Sequence, residues 1–235
     1  MSERTGFPVR SWRGDARGWP AAPLEQGSLR ISGTVLDDGA RWHVTTDRLG
    51  WTTVVLLSHA DGAELPDESR ALRLCAAEAC DPVETALMLR NVLGARAEGV
   101  GLAIARVGPY AQLVELLNVS LPTVMCWDPV EGLSPYEPLV RSLAELRATA
   151  ATTEVLRLEV GGALTLTTRG VLPLDAGWRT LRDFTRALGL DPLGGTVAEA
   201  PPPELARVLR DSWGTHPGPS GVVVIGLPPA IRQVA

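Results

Sequence analysis

The sequence predicts a layered α+β domain, and three observations carry that expectation. Apolar runs of strand length recur along most of the chain, two amphipathic helical segments follow one another directly, and further helical segments come late, before one last apolar run. Helices and strands segregated in this way build sheets with helices on their faces, not a βαβ repeat. With 235 residues, 45% of them hydrophobic, the chain can bury a substantial core, and one domain is expected.

Taken in order, Leu29, Ile31, Gly33 and Val35 alternate with polar residues as in a half-buried strand, and Asp37-Asp38-Gly39 supplies turn chemistry after them. Trp51 to Leu57 is denser and rich in β-branched residues, which suits a strand covered on both faces. Leu72, Cys75, Ala76 and Ala79 then recur at helical spacing from Asp67 onward. A second helix starts at Asp81 as N-cap, with Pro82 at its first position and Glu84 placed for a reciprocal capping box. The middle of the chain reads as strands: Val100 to Val107, Gln112 to Asn118, Thr123 to Trp127, Glu154 to Val160 and Ala163 to Thr168. Helical spacing returns at Trp178, Leu181, Phe184 and Leu188, and again through Leu205, Val208, Leu209 and Trp213, before a final strand over Val222 to Leu227. Residues 1–27, with Arg10, Trp12, Arg13, Arg17 and Trp19, are expected to be an N-terminal arm, and residues 28–235 a single domain.

Composition excludes some functions. A formal net charge of -5 gives no general reason to expect a nucleic acid or an acidic membrane surface as partner. The longest apolar runs are far too short to span a bilayer, and the opening residues contain no apolar leader, so the expected location is cytoplasmic. Cys75, Cys80 and Cys126 lack zinc or redox spacing and read as small core residues in a reducing compartment. His43 and His216 each stand alone, and Ser69 and Ser220 have no triad motif around them.

Five segments, in order, carry a resemblance. Asp38-Gly39-Ala40-Arg41-Trp42-His43 stands where a G-G-D-W-Y-D landmark is found, Ser58-His59-Ala60-Asp61-Gly62 where G-D-V-S-G-H-G is found, and Asn118 to Pro122 where N-A-G-H-P is found. Thr167-Thr168-Arg169-Gly170 matches T-D-G-L, and Gly218 to Gly221 stands in place of D-D-A-T before the last strand. Over roughly Leu24 to Pro229 the chain thus resembles the metal-dependent PPM (protein phosphatase 2C-like) serine/threonine phosphatases, in their bacterial SpoIIE/RsbU-like branch. The resemblance implies an αββα sandwich of two antiparallel sheets flanked by helices.

It also implies a degenerate metal site. In the family, aspartates hold two divalent cations that activate a water for attack on a phosphoserine or phosphothreonine. Here those landmark positions carry Arg41, His59, Arg169 and Ser220. Arginine offers five donors and no acceptor, so it cannot hold the oxygen-seeking Mg2+ or Mn2+. The expectation is therefore no metal cofactor and no catalytic residue, in a pseudophosphatase that serves signalling as a regulatory protein-binding module. The partner implied is an anti-sigma-factor antagonist or a kinase, and homodimerisation stays open. The alternative is an active but divergent phosphatase that uses Mn2+ or Mg2+ on the residual pair Asp61 and Gly62. Arg41 and Arg169 are expected to approach His59 and Asp61 at one edge of the sandwich, where they meet an internal carboxylate such as Asp61 or Glu64, or an anion.

Overall fold

The structure, a computed structural model, describes residues 10–14, 24–26, 28–59, 68–110, 112–139, 142–148, 151–189, 202–213 and 216–228. Among the described residues, twelve strands fall into two sheets. In the first sheet the strands are β1 (Arg10–Gly14), β4 (Ala40–Thr46), β5 (Thr52–His59), β6 (Val100–Val107), β7 (Leu113–Val119) and β10 (Glu154–Arg157), in the order β1-β4-β5-β6-β7-β10. The second holds β2 (Leu24–Gln26), β3 (Leu29–Val35), β12 (Gly221–Gly226), β11 (Ala163–Thr167), β8 (Val124–Asp128) and β9 (Gly132–Tyr136), in the order β2-β3-β12-β11-β8-β9. Every pairing is antiparallel.

Strand periodicity decides what each sheet face carries. Along β4, Ala40, Trp42 and Val44 turn inward and join Ile31, Leu56, Ala103, Leu116, Leu164, Val223 and Ile225 in the core between the sheets. The alternate residues Arg41 and His43 turn outward, toward the helices. Helices α1 (Glu68–Glu78) and α2 (Pro82–Leu93) cover that outer face through Leu72, Ala86 and Leu89 against Val55, Leu57, Leu102 and Ile104. On the other side, α3 (Trp178–Ala187) and α4 (Pro202–Arg207), which runs on into a π-helical turn over Val208–Trp213, cover the second sheet. Leu181, Phe184, Leu205 and Leu209 pack there against Met125, Val222 and Val224. The molecule is an αββα sandwich, as the sequence predicts.

The capping box at α2 forms in full: Asp81 Oδ1 accepts from the Glu84 N–H at 2.8 Å, and Glu84 Oε2 accepts from the Asp81 N–H at 3.0 Å. Four strands were not evident from periodicity, namely β1, β2, β4 and β9. Two of them lie within the expected arm: Arg10–Gly14 pairs with β4, and Leu24–Gln26 pairs with β3. The three cysteines are free, with Cys75 and Cys126 buried and Cys80 half-buried. Burial pushes the Cys75 thiol up to about 12 and the Cys126 thiol up to about 11, so neither is a thiolate near neutral pH. No helix among the described residues is long and apolar enough to cross a membrane.

Gly33 of β3 lies directly against the Trp42 ring of the facing sheet. A Cβ there would lie 2.9 Å from both Cε2 and Nε1 of the fully buried Trp42 ring, which is flat, rigid and enclosed. Gly33→Ala is therefore expected to destabilise the fold by about 1–3 kcal/mol through overpacking. Urea unfolding would show it as a lower midpoint at unchanged slope.

Candidate functional site

The landmark positions lie at one end of the sandwich, but the structure distributes them over two neighbouring arrangements. The first is a buried ion-pair cluster under the start of α1. Arg41, 7% exposed, donates through Nη1 to Glu68 Oε1 at 3.1 Å, and the Glu68 side chain is itself only 2% exposed. His43, two residues along β4 and hence on the same outward face, places Nε2 at 3.4 Å from the same oxygen. That contact has ion-pair distance without hydrogen-bond alignment, and Nε2 has no other partner among the described residues. Arg13 of β1 approaches the same oxygen at 3.9 Å, from a more exposed position.

Burial acts first on the Glu68 carboxyl and would raise its pKa. Contact with His43 and then the charge and hydrogen bond of Arg41 outweigh burial, so the pKa stands below its ordinary value of 4.5. The cluster is thus a carboxylate held charged by cationic groups on adjacent strands.

The second arrangement is a cavity of about 360 Å3. Ser58 near the end of β5, Glu98 and Gly99 just before β6, Gly101 at its start, Ser120 after β7, Arg169 after β11 and Pro219 before β12 line it. Arg169 donates to the Ser120 carbonyl from Nε and Nη2, each at 3.2 Å, and also to the Ser120 hydroxyl. Ser120 holds a left-handed backbone, φ 60°, which turns its carbonyl and hydroxyl together toward the guanidinium. Asp37 closes the neighbouring turn: its Oδ2 accepts from the Ser220 N–H at 2.6 Å and its Oδ1 from the Gly39 N–H at 3.1 Å. His59 is buried at the end of β5, with its N–H bonded to the Gly39 carbonyl at 2.7 Å and Nδ1 without a partner among the described residues.

Arg169 therefore borders the cavity, Ser220 follows the lining residue Pro219 without itself lining the cavity, and Arg41 is drawn away to Glu68 and is not part of the cavity wall. The carboxylate that meets Arg41 is Glu68. Asp61, Gly62, Glu64 and Asp67 lie outside the described residues. In the sequence Glu68 carries no signal of its own and His43 stands alone. The signal was available in the strand period, which puts Arg41 and His43 on one face, and in an acidic residue at the first turn of the next helix.

The donor set can be tested against a hard cation. Among the described residues no three His, Cys, Asp or Glu side chains come together as a ligand group. Arg169 cannot serve as a ligand, Glu98 is the single carboxylate among the described lining residues, and the hydroxyls of Ser58 and Ser120 do not supply the further carboxylates a hard cation needs. The described residues at the cavity do not fit Mg2+ or Mn2+.

Neither the protein-family models nor the curated proteins searched give a match to the sequence. Solved structures do. The RsbU and RsbW domains of a Mycobacterium tuberculosis protein align with a TM-score of 0.65 and 14% identity, over 88% of this chain and 62% of that one. This chain thus spans less than two thirds of that relative. The PP2C phosphatase domain of SpoIIE from Bacillus subtilis, with a fragment of its regulatory domain, aligns with a TM-score of 0.62 and 12% identity, over 94% and 70% of the two chains. RsbX in complex with magnesium gives 0.59 and 13%, over 85% and 95%. The fold is that of the PP2C/PPM phosphatase domains of the SpoIIE, RsbU and RsbX type.

One expectation is corrected by these structures. The absence of a metal cofactor was inferred from the lost aspartates, yet the same fold holds magnesium in RsbX. Four substituted landmarks do not exhaust the oxygen donors a cation can recruit, and Asp61 is not among the residues whose placement is described.

Two measurements separate the clusters. Glu68→Gln leaves the Arg41 guanidinium buried without a counter-charge and is expected to cost about 3 kcal/mol in chemical unfolding, whereas Arg169→Ala, at an exposed position with neutral acceptors, should stay within about 1 kcal/mol of the parent. Because the folded pKa of Glu68 is depressed, its contribution is present above the ordinary value of 4.5 and is lost as pH falls through the folded value. Unfolding followed at stepwise lower pH should therefore fall more steeply for the parent than for Glu68→Gln.

Proposed function

We propose that the chain is a pseudophosphatase: a regulatory, protein-binding module on the PPM fold, working in partner-switching signalling in the cytoplasm. The observation that carries the reading is the commitment of Arg41, at the first aspartate landmark, to the buried carboxylate of Glu68. A guanidinium locked into such a pair is a structural element of the outer sheet face and offers nothing to the activation of water. Arg169 supports the same reading, since its guanidinium is spent on Ser120 at the place of another landmark aspartate. Free cysteines fit a reducing compartment.

A protein partner is supported by the company this fold keeps: RsbU with RsbW domains in one relative, and a regulatory fragment beside the phosphatase domain of SpoIIE in another. An anti-sigma-factor antagonist, in its phosphorylated or free form, or a kinase is the class of partner proposed. Fold alone does not fix function, so the proposal rests on the site.

The test is turnover. Phosphate release from a phosphoserine peptide and from p-nitrophenyl phosphate, assayed with millimolar Mn2+ or Mg2+, is expected to stay at the background rate. Manganese-dependent release that disappears in Asp61→Asn would contradict the proposal and establish the divergent phosphatase instead, a reading that the magnesium complex of RsbX keeps in view.

A further inference from the structure

Helix α3 carries a feature that its own stability argues against. Its inner face, Leu181, Phe184 and Leu188, is buried against the second sheet. At 3.6 residues per turn, Trp178, Arg182, Arg186 and Arg179 follow one another around the opposite side within about a third of a turn, with Asp183 at the far edge. All four are exposed: Trp178 at 52%, and the arginine side chains at positions 179 and 186 at 91% and 56%.

This pattern does not serve the helix. Arg179 lies in the first turn, at the positive end of the helix dipole, where an acid would be favoured, and no side chain caps Gly177 at the N-terminus. Arg182 has a like charge three residues before it and four residues after it, and such pairs repel. Asp183 compensates in part, since Arg179 and Arg186 share it at 4.0 and 3.9 Å, the outer limit of an ion pair. Three guanidinium groups and one carboxylate leave a net positive stripe on a chain whose formal net charge is -5. A local choice that works against its own element marks a site selected for something else.

The composition says what kind of site. Tryptophan and arginine are the residues most enriched among energetically dominant interface positions, because a flat amphipathic ring buries much area and a guanidinium pairs bidentately with carboxylates. An exposed Trp beside three Arg needs a complement that is apolar at one point and acidic next to it.

We propose that the outer face of α3 is a docking surface for an acidic, amphipathic helical segment of a partner protein, with the Trp178 ring taking its apolar residue and Arg179, Arg182 and Arg186 its carboxylates. The inference gives a surface to the protein-binding role proposed above. Its test reads binding alone, so phosphatase turnover, or its lack, leaves it standing.

The probe is a fluorescein-labelled peptide of Leu and Glu patterned as an amphipathic helix, titrated with the full chain and followed by anisotropy. A control peptide has Gln in place of every Glu, and a second arm uses vesicles containing phosphatidylserine. Saturable binding of the Glu peptide is expected, with none of the Gln peptide. It should weaken about tenfold or more in Arg182→Glu and in Trp178→Ala, each with an unchanged thermal midpoint, and should fall as salt rises. Absence of saturable binding would overturn the inference, as would binding indifferent to both substitutions. Preference for the anionic vesicles over the peptide would assign the stripe to a lipid surface and overturn it equally. Should Arg182→Glu fail to fold, Trp178→Ala and the salt series decide.

Discussion

A carboxylate withdrawn from water stays charged only if positive charge and hydrogen bonds replace its hydration, and Glu68 meets that condition through β4. Its partners come from alternate residues of one strand, so the pairing holds only while β4 keeps its register and α1 begins where it does. One slip of the strand would turn Arg41 and His43 into the apolar core and Trp42 out of it. The buried pair thus ties the helix layer to the sheet and fixes which face of β4 sees the core. A comparable tie stands at the other end of the same sheet face. There the guanidinium of Arg106 in β6 joins Asp47 at 3.2 Å, Glu115 at 3.1 Å and the carbonyl of Ala79 at 3.2 Å, and lies 4.4 Å from the centre of the Trp51 ring.

The consequence for function follows from where the first tie is made. In the phosphatases that this chain resembles, the landmark at Arg41 is acidic and belongs to a metal centre. On the function proposed above, the position has changed sign; in the structure Arg41 is part of the framework. The neighbouring cavity lies among the strand ends and is lined by glycines, serine hydroxyls, Arg169 and the single carboxylate of Glu98. A fold can keep its layers, its tryptophan and its turns while the chemistry at its strand ends is replaced, because the core and the site draw on different residues.

Much of this was legible in the sequence. Apolar runs located eight of the twelve strands among the described residues, helical spacing and the Asp81–Glu84 box located α1 and α2, and segregation of helices from strands excluded a βαβ design. Strands β1, β2, β4 and β9 escaped because their residues do not show the pattern: β9 contains Gly132 and Pro135, β1 and β2 are short edge strands, and the Arg41-Trp42-His43 stretch looks polar until the helix layer above it is known. The site was legible as a set of positions and not as a geometry. Arg41 and Arg169 were both expected at one edge, but nothing local in the sequence says that a glutamate 27 residues away from Arg41 will enter the outer face and claim it. Long-range ion pairs depend on tertiary packing, and a one-dimensional pattern does not contain it.

Arg41 and Glu68 act as one structural unit on the outer face of β4. A double-mutant cycle measures this directly, with Arg41→Met, Glu68→Gln and the double variant unfolded in urea beside the parent. The double variant is expected to be more stable than the sum of the two single losses allows, with a coupling above about 1 kcal/mol, as expected for two groups in direct contact. Losses that simply add, within about 0.5 kcal/mol, would mean that the two side chains act independently, and would contradict it.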